Sequence, residues 1–308
     1  MSNALLRNLP AVDRLKQRLL KGHPAWPESL ATTLAREVVT VVREQVARGT
    51  LTDGAAIDAA VSRELNMRSR QLTTPGLRAV INATGVLVHT NAGRAPLPQV
   101  ALDAVVATSG GYCNLELELA DGRRGSRQNH LRGLVRWVCG AEDGLVVNNN
   151  AAALMLALHT VAAGRPVLVS RGELVEIGGS FRVPDVMAAA GVRLVEVGTT
   201  NRTWLSDYER AANALIEAGE PAAALMQVHR SNFRIEGFVA TPSIAELAGL
   251  AERLQIPLIS DLGSGALGAP ERYGLAKEPT VAETLAAGAH IATFSGDKLV
   301  GGPQAGLI

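Results

Sequence analysis

The sequence predicts an α/β protein with a mostly parallel sheet, preceded by a small helical segment. Three observations predict it. From Val80 onward, short apolar runs alternate with Ala-rich helical stretches, the pattern of βαβ units. Those runs are continuously apolar rather than alternating, as in strands covered by helices on both faces. The first seventy residues, by contrast, carry only helical periodicity. The expected organisation is a helical domain over residues 1–70 and a large α/β domain over residues 71–308.

In the leading segment, Pro24 and Pro27 break an opening helix. The stretch SLATTLAREVVTVVREQVARG then spaces its apolar residues three and four apart and ends in Gly49. Thr52-Asp53 is a start signal for a further helix through AAIDAAVSREL. The texture changes near Thr74-Pro75-Gly76. The predicted strands are GLVVN (144–148), RPVLVS (165–170), VRLVEVG (192–198), AALMQVH (223–229), IPLISD (256–261) and HIATFSG (290–296). Helices are expected at AAALMLALHTVAA and PSIAELAGLAERLQ. The apolar run Ala305–Ile308 has no closing signal, so the chain reads as cut short.

Bulk properties narrow the classes. Of 308 residues 47% are hydrophobic and 19% charged, a globular rather than a disordered composition. Only 3% are aromatic, so the core rests on Ala, Val, Leu and Ile. No apolar stretch is long enough for a membrane span. The opening residues lack a signal-peptide pattern. Cys113 and Cys139 suit neither a metal cluster nor a disulfide framework, and the expected location is the cytoplasm. Residues 1–70 carry eleven Lys and Arg against seven acids, although the whole chain is only +1. That balance permits contact with a polyanion, and it equally describes a solvated helical face.

In open α/β sheets ligands gather at the carboxyl ends of the strands. Here those ends carry Asn148-Asn149-Asn150, His229-Arg230-Ser231-Asn232, Asp261 and Ser295-Gly296-Asp297-Lys298. The chain has only four lysines, and Lys298 alone follows a buried strand. A lysine can lose its proton and form a Schiff base, which an arginine cannot. Pyridoxal phosphate (PLP) needs such a lysine, and a carboxylate against its pyridine nitrogen, for which Asp261 is the candidate. It also needs backbone N–H groups for its phosphate. The start of the helix at Asn149, Asn150 and Ala151 offers them, with Ser295 as a further donor. His229 or Asn232 is placed against the ring or its phenolic oxygen. Taken singly, the aspartate reads as well as a turn residue, the asparagines as an Asx turn and the histidine as a satisfied polar group. Their joint occurrence, with the lysine last, favours a PLP site. A second constellation, INATGVLVHTNAGRAPLP (81–98) and YCNLELELADGRRGSRQNH (112–130), offers Arg94, Arg123, Arg124 and Arg127 for an anionic group. Surface arginines of a subunit-contact loop read the same way.

These segments, with VHRSNFRIEGF, SDLGSGAL and FSGDKLVGGPQAG, resemble bacterial selenocysteine synthase, the L-seryl-tRNA(Sec) selenium transferases, over essentially the whole chain. The resemblance implies a type I PLP fold (aspartate-aminotransferase-like) with a helical N-terminal tRNA-binding domain. It also implies PLP on Lys298, Asp261 as the ring partner, and a ring-shaped homodecamer built from dimers. Arg94 resembles the arginine proposed to bind the anionic selenium donor, and Arg127 is the second candidate for substrate. Ala92 stands where the family has leucine. The implied reaction is β-elimination of the serine hydroxyl of seryl-tRNA(Sec), then addition of selenium from selenophosphate. The family continues past the lysine into a C-terminal small domain that is missing here. Two other readings stay open: a type I PLP lyase acting on a small amino acid or amino sugar without tRNA, and a non-catalytic tRNA-binding subunit.

Overall fold

The computed structural model describes residues 5–177 and 181–308; Met1–Ala4 and the Gly178–Ser180 portion of the resemblance lie outside the described residues. The chain divides into two compact units, one running to Ile81 and the other starting at Asn82. The expected domain boundary is 70/71, and the texture of the sequence changes near Thr74-Pro75-Gly76.

Among the described residues the first unit carries the helices α1 (Val12–Gly22), α2 (Glu28–Ala47) and α3 (Gly54–Thr73). On α2 the buried residues Ala31, Leu34, Ala35, Val38, Val39, Val42 and Val46 fall on one stripe. They pack with Leu15 and Leu19 of α1 and with Ile57, Val61 and Leu65 of α3. Asp53 caps α3 by accepting from the Ala56 N–H at 2.7 Å. This helix runs past Leu65 to Thr73, because nothing in the sequence stops it before Pro75.

The second unit holds α4 (Gln99–Ser109), α5 (Asn129–Cys139) and a seven-stranded sheet. Its elements continue as β1 (Val146–Val147), α6 (Asn150–Ala162), β2 (Pro166–Ser170), β3 (Glu176–Ile177), β4 (Phe181–Arg182) and α7 (Val183–Ala189). Then follow β5 (Arg193–Val197), α8 (Leu205–Glu217), β6 (Ala224–Val228), α9 (Ile244–Leu254), β7 (Leu258–Gly263), α10 (Val281–Ala286), β8 (Ile291–Ser295) and β9 (Gly306–Leu307). The sheet order is β1-β9-β8-β7-β6-β2-β5, and β3 and β4 form a separate hairpin. Strands β8, β7, β6, β2 and β5 run parallel to their neighbours, and β9 is antiparallel to both β8 and β1.

All six strands expected from the sequence are present. The terminal run that lacked a closing signal is β9, which fills the place between β1 and β8. The β3–β4 hairpin was not foreseen, since two-residue strands leave no periodicity to read. Alternate residues of β2 serve opposite faces. Val167 and Val169 join the core under α6 and α7, whereas Leu168 joins the core under α8 and α9. Strand β5, an edge strand, exposes Arg193 and Glu196 to solvent. Its Arg193 and Glu196 are held by Glu220 and Arg171, charges that discourage pairing with another chain.

Candidate active site

Strands β6, β7 and β8 lie side by side and parallel, so their carboxyl ends present residues to one place. Register sets the pairing: Val228 lies opposite Asp261, and Asp261 opposite Thr293. The His229 N–H donates to the Asp261 carbonyl at 2.8 Å, fixing the end of β6 against β7. After β8 the chain makes a tight loop. Gly301 N–H donates to the Lys298 carbonyl at 3.0 Å and Gly302 N–H to Gly296 at 2.8 Å, and this loop carries Lys298.

Asp261 is buried. Its Oδ1 accepts from Asn150 Nδ2 at 2.7 Å and from the Thr293 hydroxyl at 3.0 Å, so Oδ2 is left to a further donor. Burial raises this carboxyl above the ordinary range, while Asn150, Thr293, Lys298 and the backbone at Gly263 pull it back down. The Lys298 amine is lowered, first by burial and then by the Arg94 charge. The lysine shift is in the direction a reactive, neutral amine needs. Gly263 sits at φ 63°, a left-handed conformation that favours glycine; a Cβ there would make only ordinary contact, 3.9 Å from Lys298 Nζ and 3.4 Å from the Ser231 hydroxyl.

The start of α6 is the third component. Asn149 is its cap and spends its side chain on the Ala152 N–H at 2.9 Å, while its carbonyl takes Ala153 N–H. The backbone N–H groups of Asn150 and Ala151 remain as first-turn donors. Strand β9 packs hard against this turn. A Cβ at Gly306 would come within 2.0 Å of the Asn149 carbonyl, so only glycine lets β9 pass. Ser295 is buried at the end of β8, two residues from Thr293 and therefore on the same face.

Arg94 is brought to the lysine loop from far away in sequence. Its Nη1 donates to both carboxylate oxygens of Asp297, at 2.9 and 2.8 Å, and Ala95 N–H donates to the Asp297 carbonyl at 3.2 Å. The residue has φ 61°, a left-handed conformation costing roughly 1–2 kcal/mol for a side chain of this kind. Arg127 is elsewhere in its contacts. It donates to Glu116, as does Arg124 at 2.8 Å, and Arg123 is paired with Asp121. Arg127, then Arg124, hold the half-buried Glu116 carboxyl below its ordinary range. No described contact joins that loop to Lys298.

Three residues escaped sequence reading: Thr293, which holds Asp261; Glu278, which lies 3.7 Å from His229 Nε2; and Glu173. A fourth, Asp297, was named at its strand end but given no role, and it holds Arg94. Glu173 is buried after β2, accepts from the Val228 N–H at 3.0 Å, and is pushed by burial up to about 8. The Pro-Thr that follows Glu278 and the Asp before Lys298 were the available signals, but neither has meaning without its distant partner.

An amine and a buried carboxylate on neighbouring strand ends, with a helix N-terminus beside them, suit a phosphorylated pyridine aldehyde. Asn150 Oδ1, a buried atom without a hydrogen-bond partner among the described residues, shows that the polar cluster is still short of a donor. The fold is that of the type I PLP-dependent transferases. It resembles a solved D-glucosaminate-6-phosphate ammonia-lyase (23% identity, 78% of this chain, 59% of that chain, TM-score 0.59). It also resembles a solved SepCysS–SepCysE N-terminal domain complex (15%, 78% and 58%, TM-score 0.52).

The family is more specific. Residues 80–308 match the model of SelA, L-seryl-tRNA selenium transferase. Proteins named L-seryl-tRNA(Sec) selenium transferase are 48% identical in Moorella thermoacetica over 100% of this chain and 49% identical in Solidesulfovibrio magneticus over 99% of it. The chain belongs to the L-seryl-tRNA selenium transferase family. It spans 64% of the length of these curated relatives.

Proposed function

We propose that this chain replaces the serine hydroxyl of L-seryl-tRNA(Sec) by selenium from selenophosphate, using PLP held on Lys298. The observation that carries the reading is the meeting of the half-buried Lys298 amine with the buried Asp261 carboxylate at adjacent strand ends, in a chain of this family. When bound, PLP supplies an electron sink for the substrate Cα.

The chain's own residues then have distinct tasks. Asp261 holds a proton on the pyridine nitrogen, and Asn150 and Thr293 keep its carboxylate turned for that purpose. The backbone N–H groups of Asn150 and Ala151, capped in place by Asn149, hold the phosphate, with the Ser295 hydroxyl beside them. His229 would be the residue to meet the ring or its phenolic oxygen. Lys298 is the covalent anchor, and its amine moves the proton at Cα, a task favoured by an amine kept from full protonation. Arg94 and Arg127 are the candidates for the anionic donor. Arg94 is supported by its tie to Asp297, next to Lys298. Arg127 must first leave Glu116.

The helical unit up to Ile81 is assigned the tRNA, consistent with its positive balance. A homo-oligomeric ring of dimers in the cytoplasm completes the reading. It is supported by α4, which buries no residue within the chain and exposes Val100, Val105 and Val106. No helix among the described residues is long and apolar enough to cross a membrane. The test is borohydride reduction of the purified full-length protein, followed by peptide mass mapping. The pyridoxyl adduct is expected on Lys298, and Lys298→Ala loses it together with on the order of a thousandfold or more of turnover. An adduct on another lysine rejects the site. Equal retardation of tRNA(Sec) and bulk tRNA in a gel shift rejects the substrate.

A further inference from the structure

We propose that Glu278 is a positioning residue for His229: its carboxylate takes the imidazole Nε2 and fixes the ring at the proposed site, leaving Nδ1 as the nitrogen free to meet cofactor or substrate. This deepens the reading above and rests on it for the meaning of the site.

The geometry points one way. His229 Nε2 and Glu278 Oε2 lie 3.7 Å apart. Each is a buried atom with no hydrogen-bond partner among the described residues. An unmet buried donor or acceptor costs about 1–3 kcal/mol, so two facing orphans gain by closing the roughly half-ångström that separates them from a hydrogen bond. Neither backbone can drift away to prevent it. That of His229 is tied to Asp261 by its N–H at 2.8 Å. Glu278 is followed by Pro279, which holds it extended, and then by the start of α10. There Thr280 and Glu283 cap each other reciprocally, at 2.9 and 3.1 Å, and Val281 N–H donates to Ala266 at 3.0 Å.

Electrostatics agree with the contacts. The Glu278 carboxyl is held below its ordinary range, first by His229, against the effect of burial, with Ser264 and Lys298 adding to the pull. Ser264 is itself bonded to the lysine loop, its carbonyl accepting from Leu299 N–H at 3.0 Å. Glu278 therefore touches the end of β6 and senses the loops after β7 and β8, the three places from which the proposed site is built.

The test uses the full-length protein as purified and reads chemistry at one ring rather than turnover alone. Diethyl pyrocarbonate labelling is followed by mass spectrometry at all six histidines. In Glu278→Ala, His229 is expected to label several-fold faster, with the other five unchanged. Glu278→Gln, which keeps the shape and an acceptor oxygen, should show a smaller rise confined to His229. An unchanged His229 rate in Glu278→Ala overturns the proposal. Should all six rates rise there, the alanine variant has lost its fold, and Glu278→Gln decides: no specific rise at His229 then overturns it. The borohydride adduct mapped in the same wild-type digest reports on Lys298 separately. Loss of that adduct would count against the functional reading while leaving the Glu278–His229 result legible.

Discussion

The strand-end cluster and the arginine loop both looked like ligand sites in the sequence, and the structure treats them oppositely. Around Asp261 the charges are buried, few, and tied by bonds between residues far apart in the chain. Between residues 116 and 127 the charges are numerous and exposed, and they neutralise one another locally: Arg124 and Arg127 on Glu116, Arg123 on Asp121. A charge in water is screened and replaceable, whereas one taken out of water must be matched by specific partners. Density of charge in a sequence is therefore a poorer guide to a site than the burial of a single carboxylate.

Breaking the buried side of this comparison should give the largest effect. Asp261→Ala strands the Asn150 amide and the Thr293 hydroxyl without their acceptor. A stability loss of roughly 2–5 kcal/mol is expected in denaturant titration, together with loss of cofactor retention. Wild-type stability in this variant would mean that water replaces the carboxylate and the site is wetter than its burial implies.

Glu173 tests the same principle without an activity assay. Its folded value of about 8 lies above the ordinary 4.5, so the folded state keeps a proton that the unfolded chain releases. The stability this contributes is present below pH 4.5 and is lost as pH rises toward 8, at up to about 1.4 kcal/mol per unit. Glu173→Gln removes that slope. The variant should melt higher than wild type at pH 8 and show little advantage at pH 5; parallel melting curves at both pH values would show Glu173 ionised in the fold.

Arg94 stands between the two regions, half-buried and paired. Arg94→Ala takes away a positive charge that lowers the Lys298 amine, so the pH at which the amine becomes reactive should move upward. A turnover profile against pH checks this, and an unmoved acid-side limb would disconnect Arg94 from the lysine. The smallest effect belongs to the exposed loop. Arg127→Ala is expected to change the melting temperature by less than about 1 °C. If it also raises KM for the selenium donor at constant kcat, Arg127 earns its place in the site; with KM unchanged it is a surface residue.

Much of the proposed site was legible because strand ends have a local signature: an apolar run, then a polar residue. That is how Asn150, His229, Asp261, Ser295 and Lys298 were singled out as candidates. Asn149 was found for the right element, although its side chain serves the helix cap. The contacts that complete the cluster were not legible. Arg94 and Asp297 are 203 positions apart, and nothing local marks either as the other's partner. The left-handed backbone at Arg94 is equally invisible, since arginine has no preference for it.

Within this chain, the order of apolar and polar residues alone determined α1, α2, α3, α6 and α9, the six principal strands and their wrapping into a parallel sheet, because those follow from periodicity and from the need to bury both faces. Only the tertiary structure decided that β9 completes the sheet, that Thr293 and Asn150 share one oxygen of Asp261, and that Glu278 faces His229. Such pairings depend on register and burial, which arise when distant segments meet and which no local run of residues encodes.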